Sequence, residues 1–402
     1  MQTVTKQIKN RITEIKQGKV PDGYKNTING IFPNEWEEKK LSDLLTFKNG
    51  INAEKGKFGS GVKLISVMDI LDESPITYEK IQNSINIDED TLDNYSVTYG
   101  DVLFQRSSEN FEDAGKSNVY LDESHVATFS GFVIRGKKNH DYNPFYLNSL
   151  LKLSIIRKQI INLAAGSQHI NIGQESLAKT NVFLPDLNEQ QKIAEVLMKW
   201  DEAIILQEKL IERLEMYKKG LMQNILTPKG DWKFKLLGEV CDISTGKLDV
   251  NAMNPNGIYP FFSCSKDIYW INEYAYDCEA LLIAGNGDIG DIKYYSGKFN
   301  AYQRTYVLTN FKFDIKYIMH FLDKYFEKEV CVGVQKSSMP YIKLSLLKNA
   351  KIYFNNENSI KKSTNILNSL NLNLDLHQQK LNNLKLQQKS LMQLLLTGFV
   401  RV

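Results

Sequence analysis

Internal duplication is the sequence feature that most constrains what this chain can fold into. The segments LMQNILT at 221–227 and LMQLLLT at 391–397 are separated by 170 residues. Extending the match backward aligns 206–227 with 376–397, with eight identities in 22 positions. A repeat of this size indicates that one structural unit occurs twice in the chain.

Further matches support the repeat, and all of them fall in the same order in both halves. Three residues recur at an offset of 196 residues: Trp36, Leu41 and Gly50 as Trp232, Leu237 and Gly246. Two later matches are VATFSGFVIRG at 126–136 with NAYQRTYVLTN at 300–310, and Gly166 and Gln168 with Gly333 and Gln335. The chain is therefore predicted to be a tandem duplication with a shorter second copy.

Each copy begins with a mixed region and ends with a long helix. Short β-branched and aromatic runs separated by Gly and Asn predict strands and turns, and 145–165 is predicted to be helical. Asp186 precedes an acidic first turn and a helical period, which Thr227 and Pro228 end. The predicted parts are an N-terminal helical segment and linker (1–32), a first domain (33–187), a central helix (188–227), a second domain (228–357) and a C-terminal helix (358–402). The predicted fold class is α+β, with two tandemly repeated α/β domains joined by a pair of long antiparallel coiled-coil helices in a pseudo-two-fold arrangement.

Both long helices carry apolar heptads, which predicts that they pair. The predicted seam consists of Leu197, Trp200, Ile204, Gln207, Ile211, Leu214 and Lys218 in the first helix, and Leu374, His377, Leu381, Leu384, Gln388, Leu391 and Leu395 in the second. A polar pair at a seam costs stability but sets register, so Gln207 is expected to meet Gln388, and Lys218 to meet His377. Registers seven residues away remain open. A helix of ~40 residues is about 60 Å long, which suits a spacer between two domains.

Composition narrows the classes of function. A formal net charge of +3 is too small to indicate a nucleic-acid partner by itself. No window of eighteen apolar residues predicts a membrane span. The four cysteines include no CxxC pair and the first residues lack an apolar leader, so we expect a cytoplasmic protein.

The candidate catalytic motifs are incomplete. GNGDIG at 285–290 spells GxGxxG, but strand-like sequence follows it where a dinucleotide site needs a helix, so a tight turn between strands is predicted. The five histidines form no HxH or HExxH group, so no metal site is predicted. We therefore assign no catalytic residue to the chain.

Several segments resemble one family along nearly the whole chain. They include IFPNEWEEKKLSDLLTFKNG at 31–50, GDVLFQRS at 100–107 and the region 164–197, together with the helix ends described above. The second copy contributes GDWKFKLLGEVCDISTG and NAYQRTYVLT, but NENSIKKSTNIL replaces NEQQKIAEVL at the start of its helix. The chain resembles the specificity subunit of type I restriction-modification systems.

This resemblance implies a protein without catalysis of its own, in which each of two target recognition domains reads one half of a bipartite DNA site. The helices of such a subunit set the spacing and dock two methyltransferase subunits, to which restriction/translocase subunits attach. Half-sites read on one face of B-DNA lie about a helical turn apart, ~34–36 Å. No cofactor is expected in this chain, since S-adenosylmethionine, ATP and Mg would bind the partner subunits of an adenine methyltransferase and endonuclease complex that acts in phage defence. Double-stranded DNA is the expected ligand, and no membrane is expected.

Sequence readout requires side chains with paired donors or acceptors, presented on loops. The candidates in the first domain are Arg106, Ser107, Ser108, Lys116, Ser117, Gln168 and His169. The candidates in the second domain are Asn286, Asp288, Arg304, Gln335, Lys336 and Ser337, with Tyr302 and Tyr341 as possible stacking residues.

Two alternatives remain open from the sequence. One is the recognition subunit of a type IIB-like system with the same architecture. The other is a coiled-coil scaffold that binds protein instead of DNA, which would be indifferent to duplex DNA at low salt.

Overall fold

The computed structural model describes residues 2–52, 55–331 and 340–402. It contains two compact units, the first formed by Met1–Ile205 with Asn382–Val402 and the second by Leu206–Leu381. The division falls inside two 40-residue helices, α8 (Leu187–Leu226) and α12 (Glu357–Leu396). Each unit therefore contains about half of both long helices.

The first unit is built on a four-stranded antiparallel sheet with the order β4-β11-β7-β9. A three-stranded sheet, β10-β5-β6, and the pairs β1-β2, β12-β8 and β13-β3 complete its β structure. The strands are β1 (Tyr24–Thr27), β2 (Gly30–Pro33), β3 (Glu37–Lys40), β4 (Leu45–Asn49), β5 (Phe58–Ile65), β6 (Ser84–Ile85), β7 (Val102–Gln105), β8 (Ser107–Ser108), β9 (Ser117–Val119), β10 (Thr128–Phe129), β11 (Val133–Lys138), β12 (Ile170–Asn171) and β13 (Asn181–Leu184).

The shorter helices of this unit begin at local capping signals. Asn143 accepts a hydrogen bond from the Tyr146 amide, and Pro144 occupies the first helical position, where its missing N–H costs nothing. The region predicted as one helix over 145–165 is two helices, because Leu153 adopts an extended conformation between them. The helices are α1 (Gln2–Lys16), α2 (Leu41–Leu44), α3 (Val67–Leu71), α4 (Glu89–Asn94), α5 (Pro144–Leu151), α6 (Ser154–Asn162) and α7 (Gln174–Ala178).

The main core of the first unit contains residues from both long helices. Ile193 and Leu197 of α8 and Leu395 and Leu396 of α12 belong to the same buried cluster as Phe104 of the central strand β7. All five side chains are at most 2% exposed. Burying a side chain of this size contributes about 1.5–3 kcal/mol, so the helix ends are integral to the core.

The C-terminal residues pack against the N-terminal segment of the same unit. The Arg401 guanidinium donates to both carboxylate oxygens of Glu189, at 2.5 and 2.7 Å, and to Glu35 at 3.0 Å. The Tyr24 hydroxyl donates to the Gly398 carbonyl at 2.6 Å. Arg401 thus gives the buried Glu189 carboxylate a bidentate hydrogen-bond partner of opposite charge.

The second unit contains a six-stranded sheet with the order β15-β20-β18-β19-β16-β17 and the pair β14-β21. Its strands are β14 (Lys233–Leu236), β15 (Asp242–Thr245), β16 (Tyr259–Phe262), β17 (Ile268–Ile271), β18 (Tyr276–Ala284), β19 (Ile292–Ala301), β20 (Thr305–Thr309) and β21 (Lys351–Phe354). Its shorter helices are α9 (Leu237–Val240), α10 (Ile315–Glu329) and α11 (Leu344–Lys348). The GxGxxG segment is the turn between the antiparallel strands β18 and β19, as predicted.

The two units repeat one plan. The first four strands of the larger sheet, β15-β20-β18-β19, have the same connections as β4-β11-β7-β9, and the pair β14-β21 corresponds to β3-β13. The core of the second unit also includes long-helix residues, with Leu226 of α8 and Leu367 of α12 both fully buried. The predicted duplication is confirmed.

Helix α8 begins at Leu187, and the seam positions of both long helices lie on their packed faces. The Asp186 carboxylate accepts a hydrogen bond from the Glu189 amide at 2.8 Å, which caps the first turn of α8. Every predicted seam position is buried or half-buried, whereas the residues on both sides of Ile211 and Leu381 are exposed. A 3.5-residue apolar period therefore marks the packed face of both helices.

The preferred register of the pair, in which Gln207 meets Gln388, is wrong. In the second unit the Gln207 amide contacts His377, at 2.8 Å from Nδ1 and 3.0 Å from the backbone carbonyl. In the first unit Gln388 donates to Asp201. The helices do run antiparallel. Gln207, however, contacts His377, which is the equivalent residue of the second repeat, 170 positions later in the sequence. The seam holds polar residues 11 positions apart in each helix, at 207 and 218 and at 377 and 388. More than one register therefore matches polar with polar, and apolar packing in each core decides between them.

Cysteine crosslinking tests this register. In a background with Cys278→Ser and Cys331→Ser, the pair Gln207→Cys and His377→Cys should oxidise to an intramolecular disulfide, seen as a mobility shift on a non-reducing gel. The pair Gln207→Cys and Gln388→Cys should not, because 11 residues of helix correspond to about 16 Å. Efficient crosslinking of the second pair alone would contradict the register described above.

Candidate nucleic-acid interface

Three strand ends meet at one edge of the sheet in the first unit. Strand β11 lies antiparallel between β4 and β7, so its first residue is next to the last residues of both neighbours. The Arg106 amide donates to the Phe132 carbonyl at 2.9 Å, and the Gly50 amide donates to Val133 at 3.0 Å. The segments that follow β4 and β7 and the segment that precedes β11 are therefore held together.

A short β ribbon adds another predicted loop to this edge. Strands β8 and β12 pair Ser108 with Ile170 and Ser107 with Asn171. The Ser107 hydroxyl donates to the Asn171 side chain at 2.5 Å. Consequently the predicted loops at 106–108 and 168–169 are neighbours, and both Gln168 and His169 are exposed.

The remaining candidates of the first unit have partners within the unit. The Arg106 guanidinium donates to the Gly131 carbonyl at 3.3 Å, and the Ser108 hydroxyl donates to the Asn110 carbonyl at 2.5 Å. Ser108 and Ser117 are each only 7% exposed. Because the side chains of Ser108 and Ser117 are buried, a ligand at this edge could contact the exposed side chains beside them but not the two serine hydroxyls.

Lys116 lies in a charged turn. Its ammonium forms an ion pair with Asp113 at 2.5 Å and its side chain is 45% exposed. The Lys116 ammonium and the Asn110 amide hold the pKa of the Asp113 carboxyl below its usual value. An anionic ligand at this turn would compete with Asp113 for the lysine.

The second unit builds the same edge with the same backbone hydrogen bonds. The Gly285 amide donates to Arg304 at 3.1 Å and the Gly246 amide donates to Thr305 at 3.2 Å. The Ile342 amide donates to Gly285 at 2.8 Å, as the Ile172 amide donates to Arg106 at 3.0 Å in the first unit. Position by position, Arg106 corresponds to Gly285 and Phe132 to Arg304.

This equivalence corrects the sequence alignment of the two copies. The predicted match of 126–136 with 300–310 has an offset of 174 residues. The hydrogen bonds pair Val133 with Thr305, an offset of 172. Because both segments are apolar β sequences, their side-chain pattern does not distinguish a shift of two residues.

The described candidates of the second unit lie around this edge. Asn286 is half-buried, and the exposed Asp288 carboxylate accepts a hydrogen bond from the Lys266 amide at 3.0 Å. Arg304 is exposed and lines a shallow cavity with Gln303, Tyr341 and Lys343. Tyr302, the other possible stacking residue, is half-buried. The candidates Gln335, Lys336 and Ser337 lie outside the described residues.

Sequence reasoning missed Phe132, which is 66% exposed at this edge. It stands within the apolar run GFVIRG and was expected to belong to a strand. The glycines Gly50 and Gly246 are the sequence signal that could have indicated an exposed turn here. Gly50 follows β4 and Gly246 follows β15, and each glycine lies close to the backbone at the turn that contains Phe132 or its counterpart.

No group of three or more His, Cys, Asp or Glu side chains in the described parts of the chain could hold a metal ion. Among the helices that the structure describes, none combines the length and the apolar character that crossing a membrane requires.

Comparison with known proteins identifies the class to which these units belong. The family model for the type I restriction modification DNA specificity domain matches the chain twice, over 33–216 and 229–386. These matches cover most of the chain, one in each copy of the duplication. The chain belongs to this family of specificity domains.

Individual relatives carry the same description. The EcoDI specificity subunit of Escherichia coli is 44% identical over 113 residues, which are 28% of this chain and 25% of that protein. The putative MjaX specificity subunit of Methanocaldococcus jannaschii is 31% identical over 220 residues, covering 53% and 50% of the two chains. These two alignments thus span a quarter and a half of the relatives. The MjaVIII specificity subunit of the same organism is 26% identical over 92% of this chain and 94% of its own length.

Solved structures have the same fold over nearly the full chain. The S subunit of a type I restriction-modification system from M. genitalium matches with a TM-score of 0.58 and 16% identity, over 90% of this chain and 96% of its own. A chain from a study of complex assembly and conformational transition of the type I system matches with a TM-score of 0.59 and 14% identity, over 92% and 99%.

The close approach at the two glycines generates a stability prediction. A Cβ at Gly50 would lie 2.1 Å from the Ser130 carbonyl oxygen, and one at Gly246 would lie 2.0 Å from the Ala301 carbonyl oxygen. Gly50→Ala and Gly246→Ala should each lower the free energy of unfolding by about 1–3 kcal/mol, because backbone must move. Denaturant unfolding monitored by circular dichroism measures the change.

Gly220→Ala is the matched control. No atom lies within 4 Å of a Cβ at this position in α8, so the substitution should stabilise the helix by up to ~1 kcal/mol. Equal effects of all three substitutions would show that the two turns are not tightly packed.

Proposed function

We propose that this protein is the DNA sequence-specificity subunit of a type I restriction-modification complex, in which each unit reads one half of a bipartite site. One observation carries the proposal: the same sheet edge, with the same backbone hydrogen bonds, occurs in both units but presents different side chains. The same backbone arrangement with different exposed side chains suits two domains that bind DNA in the same orientation but recognise different base sequences. The family membership supports this function.

The chemistry at the two edges suits duplex DNA. Gln168, His169 and Arg304 are exposed and can donate or accept at base edges in the major groove. Exposed lysines such as Lys116 would contact phosphates, which adds affinity and salt dependence without specificity. With a net charge of only +3, much of the DNA affinity would come from the assembled complex.

The long helices supply a surface for partner subunits. Large apolar side chains are exposed on their outer faces, although the seam itself is packed. On α8 these are Leu187, Met198, Ile205, Leu206, Leu210, Met216 and Tyr217, and on α12 they are Ile366, Leu372, Leu376 and Leu386. Leu206 and Leu376 correspond to each other in the duplication and are 59% and 55% exposed. Two equivalent apolar sites suit two copies of one partner, which we propose to be the methyltransferase subunits.

Catalysis would then belong to the partners. Methyl transfer from S-adenosylmethionine and restriction with ATP and Mg would occur on the methyltransferase and restriction/translocase subunits of the cytoplasmic complex. This chain would contribute recognition and the spacing between the half-sites.

A methylome tests the recognition function. Co-expression with the methyltransferase subunit should produce adenine methylation in a split motif, which long-read sequencing detects as two specified blocks around a gap of constant length. Replacing 230–357 by the corresponding segment of another family member should change one block only. A stable complex that leaves DNA unmodified would instead favour a protein-binding scaffold.

A second experiment tests the docking surface. Leu206→Glu combined with Leu376→Glu should reduce association with the methyltransferase subunit by at least tenfold, because two charges would be buried at an apolar contact. Ile28→Glu, at a 95% exposed position outside both long helices, is the control and should bind normally. Size-exclusion chromatography with titration calorimetry gives the affinity, and unchanged binding of the double variant would exclude this face.

A further inference from the structure

A tight turn at the same position carries an exposed side chain at each edge. In the first unit the Val133 amide donates to the Ser130 carbonyl at 2.9 Å, so Gly131 and Phe132 are the two central residues of a turn. In the second unit the Thr305 amide donates to the Tyr302 carbonyl at 2.8 Å, with two central residues in the same places. Phe132 and Arg304 are therefore the third residues of equivalent turns.

Each turn is held from several sides. The Arg106 guanidinium bonds the Gly131 carbonyl in the first unit, and the Ser130 amide donates to Ile65 at 3.0 Å. The first central position has little freedom, since a Cβ at Gly131 would lie 1.7 Å from the Asn52 side-chain oxygen. Arg106 is thus a positioning residue for the turn, in addition to its predicted role at the DNA.

The turn of the second unit is anchored at its first central residue as well. The Gln303 amide donates to the Leu248 carbonyl at 2.8 Å, and its side-chain amide donates to Asp249 at 3.1 Å. The Arg304 carbonyl accepts from the Gly285 amide, and the Arg304 side chain is exposed. The second central residue is the one that projects in both turns.

A turn whose backbone is fixed by hydrogen bonds and whose third residue is exposed is preorganised for binding. Little loop entropy is lost when such a residue contacts a ligand. The chemistry of the two tips differs. A guanidinium pairs with the O6 and N7 acceptors of guanine, whereas an apolar side chain contacts the methyl group of thymine. A phenylalanine exposed to water on a structural surface would gain nothing from this rigid support, while one facing a base edge would.

We propose that Phe132 and Arg304 are equivalent specificity-determining residues, of which Phe132 contacts a thymine in one half-site and Arg304 a guanine in the other. The proposal rests on the function proposed above and assigns one base position in each block to one residue. Substitution of Phe132 and substitution of Arg304 should therefore change different blocks of the split DNA motif.

The test is the methylome of the complex with Phe132→Ala, Phe132→Leu, Arg304→Ala or Arg304→Gln, compared with the unsubstituted complex. Phe58→Ala and Lys233→Ala are matched controls, because both residues are exposed. Phe58 is at the far end of β5 from Ile65, which the first turn contacts, and Lys233 belongs to the separate strand pair β14-β21. Melting curves of each purified complex report folding independently of methylation. Phe132→Leu keeps an apolar tip, so it should retain more discrimination than Phe132→Ala.

The expected result is a loss of discrimination by about 5- to 150-fold at one thymine of one block for Phe132→Ala, and at one guanine of the other block for Arg304→Ala. An unchanged motif in folded variants would overturn the assignment while leaving the proposed function intact. Weaker complex formation without a change of motif would assign Phe132 to a partner contact and overturn the proposal. Absence of any methylation motif in the unsubstituted complex would overturn both.

Discussion

Burial of long-helix side chains in the core of each unit is the interaction on which the rest of the structure depends. Leu197 and Leu395 complete the first core, and Leu226 and Leu367 complete the second, so neither mixed region has a closed core without the helices. The helical residues are held by the same apolar packing that supports the sheets. The sheet edges and helix faces of each unit are thereby supported by one shared core.

The duplication separates what must be constant from what can vary. Backbone hydrogen bonds at Gly50 and Gly246 maintain the turn in both units, and a side chain at either glycine would collide with a carbonyl group. The tips of the turns are under no such constraint, because they face solvent. Side chains can therefore differ at Phe132 and Arg304 at little cost to the fold, and the two copies do differ there while retaining their strand connections.

Much of the fold could be predicted because it depends on short-range patterns. Two long helices and a repeated plan can be predicted from periodicity and from the repeated segments, and the structure has both. The helix register could not be predicted, since polar residues 11 positions apart allow competing matches. Of the candidate site, the structure brings the predicted loops at 106–108 and 168–169 together, but the sequence did not indicate the burial of Ser117 or the exposure of Phe132.

The sequence by itself determined that one α+β plan occurs twice and ends each time in a long amphipathic helix, because periodicity and repetition are properties of the chain. Only the tertiary structure decided which residues of the two copies are equivalent, with Phe132 matched to Arg304 by hydrogen bonds between strands. It also decided that Gln207 pairs with His377. The Phe132–Arg304 equivalence and the Gln207–His377 contact both depend on segments that are distant along the chain. Close packing selects one arrangement of these segments, whereas the residue pattern is compatible with several.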